Sequence, residues 1–195
     1  MYLLVAVNTG VTPTVSDSYS NTYTLVTSGS RGAGSADYLL YRCIGFTGGA
    51  GHTFTSTNGS AASTSIMAIE VLGALSSSQD GALTVFALDA TPPLNVSITT
   101  TQSGEFVLIV NSSDSSTGYA SPATAALILP STAWALNSGW DQPASAGAQN
   151  YSFGTSSANG VIAAISIKDS TPADNTTKPA TLGQWDPELL FTAWW

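Results

Sequence analysis

The sequence predicts an all-β protein: an antiparallel β-sandwich of jelly-roll or immunoglobulin-like type, followed by an extended C-terminal arm. Three observations carry this reading. Apolar residues come in strand-length runs, chiefly Leu3–Val7, Ser65–Gly73, Gly104–Asn111 and Gly160–Lys168, separated by stretches rich in Gly, Ser, Asn and Thr. No long stretch carries a helical period, and the one short candidate, Ala123–Leu129, is bracketed by Pro122 and Pro130. Finally, 43% of the 195 residues are hydrophobic and only 8% are charged, so the chain can bury a full core while small polar residues keep it in solution. The division that follows is a sandwich over residues 1–169 and an arm over residues 170–195.

The strands are expected in this order. Leu3–Val7 is the first; the apolar stretch around it is too short to span a membrane and lacks the basic start of a signal peptide. Pro13–Asp17 is a short edge strand. Asn21–Thr27 places Tyr23 and Leu25 on one face, and the Gly/Ser loop Ser28–Ser35 carries Arg31. Asp37–Gly45 alternates cleanly, with Tyr38, Leu40 and Arg42 opposite Leu39, Tyr41 and Cys43. Ser65–Gly73 is the most strand-like run and is expected to be buried on both faces, with Gly51–Thr57 pairing beside it across an Asn58-Gly59-Ser60 turn. A carboxylate at Glu70 inside such a strand needs a partner, and Arg42 is the candidate. Ser76–Gly81 reads as a polar loop, and Ala82–Leu88 and Val96–Thr100 as strands separated by Pro92-Pro93. Gly104–Asn111 sets Phe106, Leu108 and Val110 against Val107 and Ile109. After the polar loop Asn111–Gly118, the pieces Ala123–Leu129 and Trp134–Leu136, broken by Pro130, then Tyr151–Gly154 and Gly160–Lys168 complete the domain.

Composition narrows the function classes. The net charge is −8, and the four basic residues Arg31, Arg42, Lys168 and Lys178 form no cluster. Nucleic acid and anionic membrane surfaces both require a basic footprint, so neither is an expected partner, nor is membrane insertion. A single cysteine, Cys43, permits no internal disulfide and reads as a small buried thiol. His52 is the lone histidine, and no nucleophile-elbow pattern surrounds any serine, so a structural histidine bonded to backbone or carboxylate is expected. One Cys and one His do not make a zinc site, and no cofactor is implied. Asp17-x-x-x-Asn21 and the Asp114 loop could supply calcium ligands, though neither has an EF-hand pattern. A carboxylate pair for glycoside hydrolysis, involving Glu70, is a third and weaker reading. Exposed aromatics such as Tyr19, Tyr119, Trp134, Trp140 and Tyr151 could stack on sugars, with Tyr119 and Trp140 the leading candidates. In the arm, Trp185, Leu189, Leu190, Phe191, Trp194 and Trp195 gather enough apolar surface to anchor a neighbouring subunit.

Three stretches carry a family likeness. Val15–Val26 (VSDSYSNTYTLV) is similar to a T-D-S-x-G-N-T-Y/W-T opening, Gly48–Thr57 (GGAGHTFTST) to a G-x-H-T-F-T-V strand, and Ser65–Ala74 (SIMAIEVLGA) to an S-I-A-V-A-E-x-S-G-A strand. In this order they resemble β-sandwich modules of bacteriophage virion proteins and some bacterial surface proteins, over roughly Leu3–Ile167. Two departures stand out: Ser20 replaces the turn Gly before Asn21, and Val71-Leu72 stand where small or polar residues are usual. The resemblance implies a non-enzymatic structural or adhesive module and brings no catalytic residues. The expected function is a virion structural protein, of capsid-decoration or head-fibre type, anchored by its arm to other virion proteins or to copies of itself. The alternative is a tail or cell-surface carbohydrate-binding module that recognises host glycan. The matching locations are the virion or, alternatively, the bacterial surface or secreted medium.

Overall fold

The computed structural model describes residues 1–8, 12–30, 36–58, 64–71, 74–88, 94–113, 135–153 and 160–169, the stretch 74–88 by its backbone. These residues form twelve strands and no helix: β1 Tyr2–Asn8, β2 Thr14–Asp17, β3 Thr24–Ser30, β4 Ala36–Arg42, β5 Phe54–Thr57, β6 Thr64–Ile69, β7 Ala74–Leu88, β8 Leu94–Thr100, β9 Phe106–Ser113, β10 Ala135–Asp141, β11 Gly147–Phe153 and β12 Gly160–Asp169. Every pairing is antiparallel. One sheet has the order β3-β4-β1-β6 and a second the order β10-β9-β12-β7, while β2-β5 and β11-β8 are two-stranded ribbons.

The apolar runs explain the layering. In β1, Leu4 and Ala6 join Tyr38 and Leu40 of β4 in a core shared with Leu108, Val110, Ala163 and Ile165 of the second sheet. Leu3, Val5 and Val7 point the other way, onto Val15, Tyr23 and Phe54 beneath the β2-β5 ribbon. The second sheet repeats the arrangement, with Val107, Ile109, Ile162 and Ala164 turned outward onto Val96, Ile98 and Tyr151 of the β8-β11 ribbon. The central strands of both main sheets, β1 and β4 in one and β9 and β12 in the other, are thus covered on both faces, and the layers stack as ribbon, sheet, sheet, ribbon. A strand with two covered faces has no polar side to present, so it reads as a continuous apolar run. The ribbons have one covered face and alternate instead: along β5, Phe54 and Ser56 are half-buried, Thr55 and Thr57 exposed.

The pairing is nested in each half of the chain. β1 pairs with β6, β2 with β5 and β3 with β4; β7 pairs with β12, β8 with β11 and β9 with β10. In each half the outer and inner pairs share the main sheet and the middle pair becomes the ribbon.

Several expectations need correction. Ser65–Gly73 is not a strand buried on both faces: β6 is the edge of its sheet, with Ile66, Met67 and Ala68 half-buried, and β1 lies between β4 and β6. β5 does not pair with β6 across the Asn58-Gly59-Ser60 turn but with β2, in the register Thr14↔Thr57 and Asp17↔Phe54. The alternation of β5 suits the one-sided outer layer, whereas the apolar β6 suits the inner one. Glu70 is exposed just beyond the end of β6, so Arg42 is not required to neutralise a buried charge. The expected loop Ser76–Gly81 lies inside the long strand β7, which pairs with β12 through two register shifts, Ser166 facing Asp80 and Ile167 facing Gln79. Bulges let polar, turn-like residues remain in a ladder while bending it. The opposed faces of β4 and β9 agree with the sequence pattern, and Cys43 is buried. Ala123–Leu129, Pro92-Pro93, the Asp114 loop and the arm lie outside the described residues.

Leu4 is fully buried between the main sheets, whereas Leu25 on edge strand β3 is 43% exposed. Leu4→Ala is expected to cost about 2–5 kcal/mol in denaturant unfolding, and Leu25→Ala roughly 0.5 kcal/mol or less.

Candidate functional site

The residues of the first two resemblance motifs converge on one cluster at the end of the β2-β5 ribbon. Asp17 closes β2, and its side chain is fully covered. Its Oδ1 accepts hydrogen bonds from the backbone N–H groups of Tyr19 and Asn21, each at 3.0 Å. Its Oδ2 accepts from Asn21 Nδ2 at 2.7 Å and from Tyr23 Oη at 2.6 Å. His52 Nε2 stands 3.2 Å from the same oxygen. Enclosure favours the neutral acid, yet the hydrogen bonds from Tyr23, from the Asn21 side chain and from the two backbone groups outweigh it and hold the carboxyl well below the usual carboxylate range. Burial first, then the adjacent Asp17 charge, push the Tyr23 phenol far up, so it remains a donor.

Asn21 extends the network to the loop before β5. Its amide donates to Thr47 O at 2.8 Å, and its Oδ1 accepts from Thr47 N–H at 2.9 Å. Ser18 N–H donates to Thr53 O at 3.0 Å, and Ser18 Oγ accepts from Thr53 N–H at 3.1 Å. Tyr41 Oη donates to Pro13 O at 2.7 Å, which fastens the other end of the ribbon to β4.

His52 is buried within a set of near-parallel rings. Its centroid lies 4.7 Å from that of Tyr19, 5.0 Å from Phe46 and 4.6 Å from Phe54, with interplanar angles of 20–24°. Both ring nitrogens are sealed from solvent. Two glycines make this fit possible. A Cβ on Gly48 would stand 2.7 Å from the Phe46 ring and 3.2 Å from His52 Nδ1, and one on Gly49 would stand 2.3 Å from Tyr19 Oη.

This arrangement holds strands together; it is poorly suited to acid–base chemistry. A general base needs an accessible nitrogen within reach of its proton, and His52 offers none. The Asp17-x-x-x-Asn21 pair was a calcium candidate, but both Asp17 oxygens already face donors and Asn21 is itself one of them, the wrong polarity for a cation. Among the described residues no group of three or more His, Cys, Asp or Glu side chains could hold a metal ion.

A second buried carboxylate plays a similar part in the other half. Glu105 Oε1 accepts from Thr101 N–H at 3.0 Å, Thr101 Oγ1 at 2.9 Å and Gln102 N–H at 2.8 Å, and its Oε2 accepts from Ser166 Oγ of β12. Sequence reasoning passed over Glu105 because a carboxylate before a strand looks like ordinary turn chemistry. Its one signal was its position directly after Gly104 and before an apolar run.

The sugar-stacking candidates separate. Trp140 is half-buried on β10, its ring parallel to Phe106 at 5.9 Å and 15°. Tyr151 is not exposed: it is buried, and its hydroxyl donates to Asp141 Oδ2 at 2.9 Å. Tyr19 is 41% exposed. Tyr119, Trp134 and the arm residues Trp185, Leu189, Leu190, Phe191, Trp194 and Trp195 lie outside the described residues. No family model, curated protein or solved structure matches this chain.

Asp17→Asn replaces a charged acceptor by a neutral amide and is expected to destabilise the fold by about 2–3 kcal/mol at neutral pH. Because the folded-state pKa is depressed, this contribution is present above the unfolded Asp value of about 3.9 and is lost as pH falls below it. Wild type and Asp17→Asn should therefore converge in stability on acidification, as measured by urea unfolding across pH. Ser20 adopts φ 58°, a left-handed conformation that glycine takes without strain. Ser20→Gly is expected to stabilise by about 0.5–1 kcal/mol after the larger unfolded-state entropy of glycine is allowed for.

Proposed function

We propose that this chain is a non-enzymatic structural protein of a bacteriophage particle, of the capsid-decoration or head-fibre type. In this reading the sandwich is of jelly-roll type, and residues 170–195 anchor it to other virion proteins or to copies of itself. The observation that carries it is the role of the resemblance motifs. Asp17, Asn21, Tyr23, His52 and Phe54 are the residues that give those motifs their character, and their contacts tie the β2-β5 ribbon to the loops that lead from it to β3 and into it from β4. Motifs of that kind mark a shared scaffold, and a scaffold whose two sheets have doubly covered central strands is a stiff block suited to an assembly.

The jelly-roll part draws on the nested pairs β7–β12, β8–β11 and β9–β10. A long hairpin rolled upon itself places successive pairs alternately in two layers, which is how jelly rolls are built. The anchoring part draws on the aromatic content of the arm, since Trp and Phe are the preferred anchors of protein contacts.

Mass spectrometry of purified particles carrying the corresponding gene is expected to recover this chain at a fixed copy number. Ending the chain after Asp169 should abolish its incorporation while leaving a folded monomer by light scattering. Particles lacking the chain would overturn the virion reading; unchanged incorporation of the shortened chain would overturn the anchoring role alone.

A further inference from the structure

We propose that Tyr19 is the stacking platform of a binding subsite for a neutral sugar ring, rimmed by Ser18, Ser20, Thr47 and the peptide groups of Gly48 and Gly49. This goes beyond the particle reading and does not depend on it, since a scaffold in any location can carry such a subsite.

The construction of the platform is the first argument. Tyr19 is 41% exposed, yet its ring is supported by the buried imidazole of His52 at 4.7 Å and its hydroxyl lies against Gly49. The backbone beneath it is also fixed. Tyr19 N–H and Asn21 N–H both donate to Asp17, and Ser20 between them is held at φ 58°. A mobile surface tyrosine would lose rotamer freedom on binding, whereas this one has already lost it. Ser20, exposed and adjacent to Tyr19, carries a side-chain hydroxyl at a left-handed backbone position that favours glycine.

The chemistry of the surroundings selects the ligand. Ser18, Ser20, Thr47, Gly48 and Gly49 are all exposed and uncharged. The one carboxylate of the cluster, Asp17, is fully covered. A ring face carries negative quadrupole density and attracts the weakly positive C–H face of a sugar, while hydroxyls and peptide groups at the rim exchange hydrogen bonds with its O–H groups. The segments 17–21 and 46–53 contain no Lys or Arg to offer an anionic ligand, and the chain's net charge of −8 opposes one. A neutral pyranose meets all of these conditions.

The test uses the full ¹⁵N-labelled chain, titrated with cellohexaose, maltohexaose and chitohexaose, and with an oligogalacturonate of similar length as the anionic comparison. Saturable amide shifts confined to residues 17–21 and 46–53 are expected with at least one neutral hexasaccharide. Tyr19→Ala and Tyr19→Leu should weaken that binding about tenfold or more, Tyr19→Phe should keep it within about threefold, and Trp140→Ala should leave it unchanged. Tyr19→Leu retains apolar bulk without the ring, so it separates stacking from simple loss of packing. No saturable shift with any neutral sugar, shifts located elsewhere, preference for the anionic sugar, or binding indifferent to Tyr19→Ala would each overturn the proposal. Self-association abolished by Tyr19→Ala without any glycan response would assign the surface to a protein contact and overturn it equally.

Discussion

Two main sheets whose central strands have no solvent face set the terms for the rest of the structure. β1 buries Leu4 and Ala6 on one side and Leu3, Val5 and Val7 on the other, and β12 divides Ala163 and Ile165 from Ile162 and Ala164 in the same way. Such strands are stable only while both layers above and below them stay in place. Losing an outer ribbon would expose several large aliphatic side chains at once, each worth about 1.5–3 kcal/mol of burial. In the first ribbon, however, β2 and β5 have four residues each, too few to be held by their own ladder. They must be fastened by something other than backbone pairing.

The fastening is done by buried carboxylates and by tyrosine hydroxyls. Asp17 gathers four hydrogen bonds and the His52 contact at the end of β2, and Tyr41 ties Pro13 to β4. In the other half Glu105 joins the turn after β8 to Ser166 of β12, and Tyr151 of β11 reaches Asp141 of β10. A bare buried carboxylate would cost several kcal/mol, but one surrounded by donors becomes a directional anchor that an apolar contact cannot replace. With only 8% of residues charged, the chain still places Asp17 and Glu105 in such positions. The scarcity of charge elsewhere is therefore compatible with a strong electrostatic contribution to architecture.

Much of this architecture was readable in the residue pattern, and the rest was hidden for identifiable reasons. The apolar runs of β1, β9 and β12 marked strands, and the split of Tyr38 and Leu40 from Leu39 and Tyr41 survives unchanged, but burial on both faces, expected of Ser65–Gly73, belongs instead to β1 and β12. Pairing was the weak point. β5 lies shortly before β6 in sequence, which suggests a hairpin between them, but the alternation of Phe54, Thr55, Ser56 and Thr57 is the mark of a one-sided layer, and only a layered view makes that decisive. Asp17, Asn21, Tyr23 and His52 were noticed separately, as a calcium candidate, a strand residue and a lone histidine. Their union depends on contacts between positions up to 35 residues apart, which no local period encodes. Ser76–Gly81 misled because Ser, Gln, Asp and Gly favour turns locally, while the ladder with β12 decides the conformation.

The two halves look alike, yet they are not a repeat. In the first half the main sheet is joined through its first strand, β1 against β4; in the second it is joined through its last, β12 against β9. A duplicated segment would close both sheets through equivalent strands. Reversing the chain direction of one half reproduces the strand order of the other, and no duplication yields that. The likeness therefore comes from a shared physical solution: a long antiparallel hairpin buries most apolar surface when its middle pair folds over the face made by the outer and inner pairs. The same nesting makes the outermost pairs, β1–β6 and β7–β12, contacts of long sequence separation that can form only after the chain between them is ordered. Ties such as Asp17 and Glu105 sit on the intervening segments, where they fix the ribbon or turn that the outermost strands must close around.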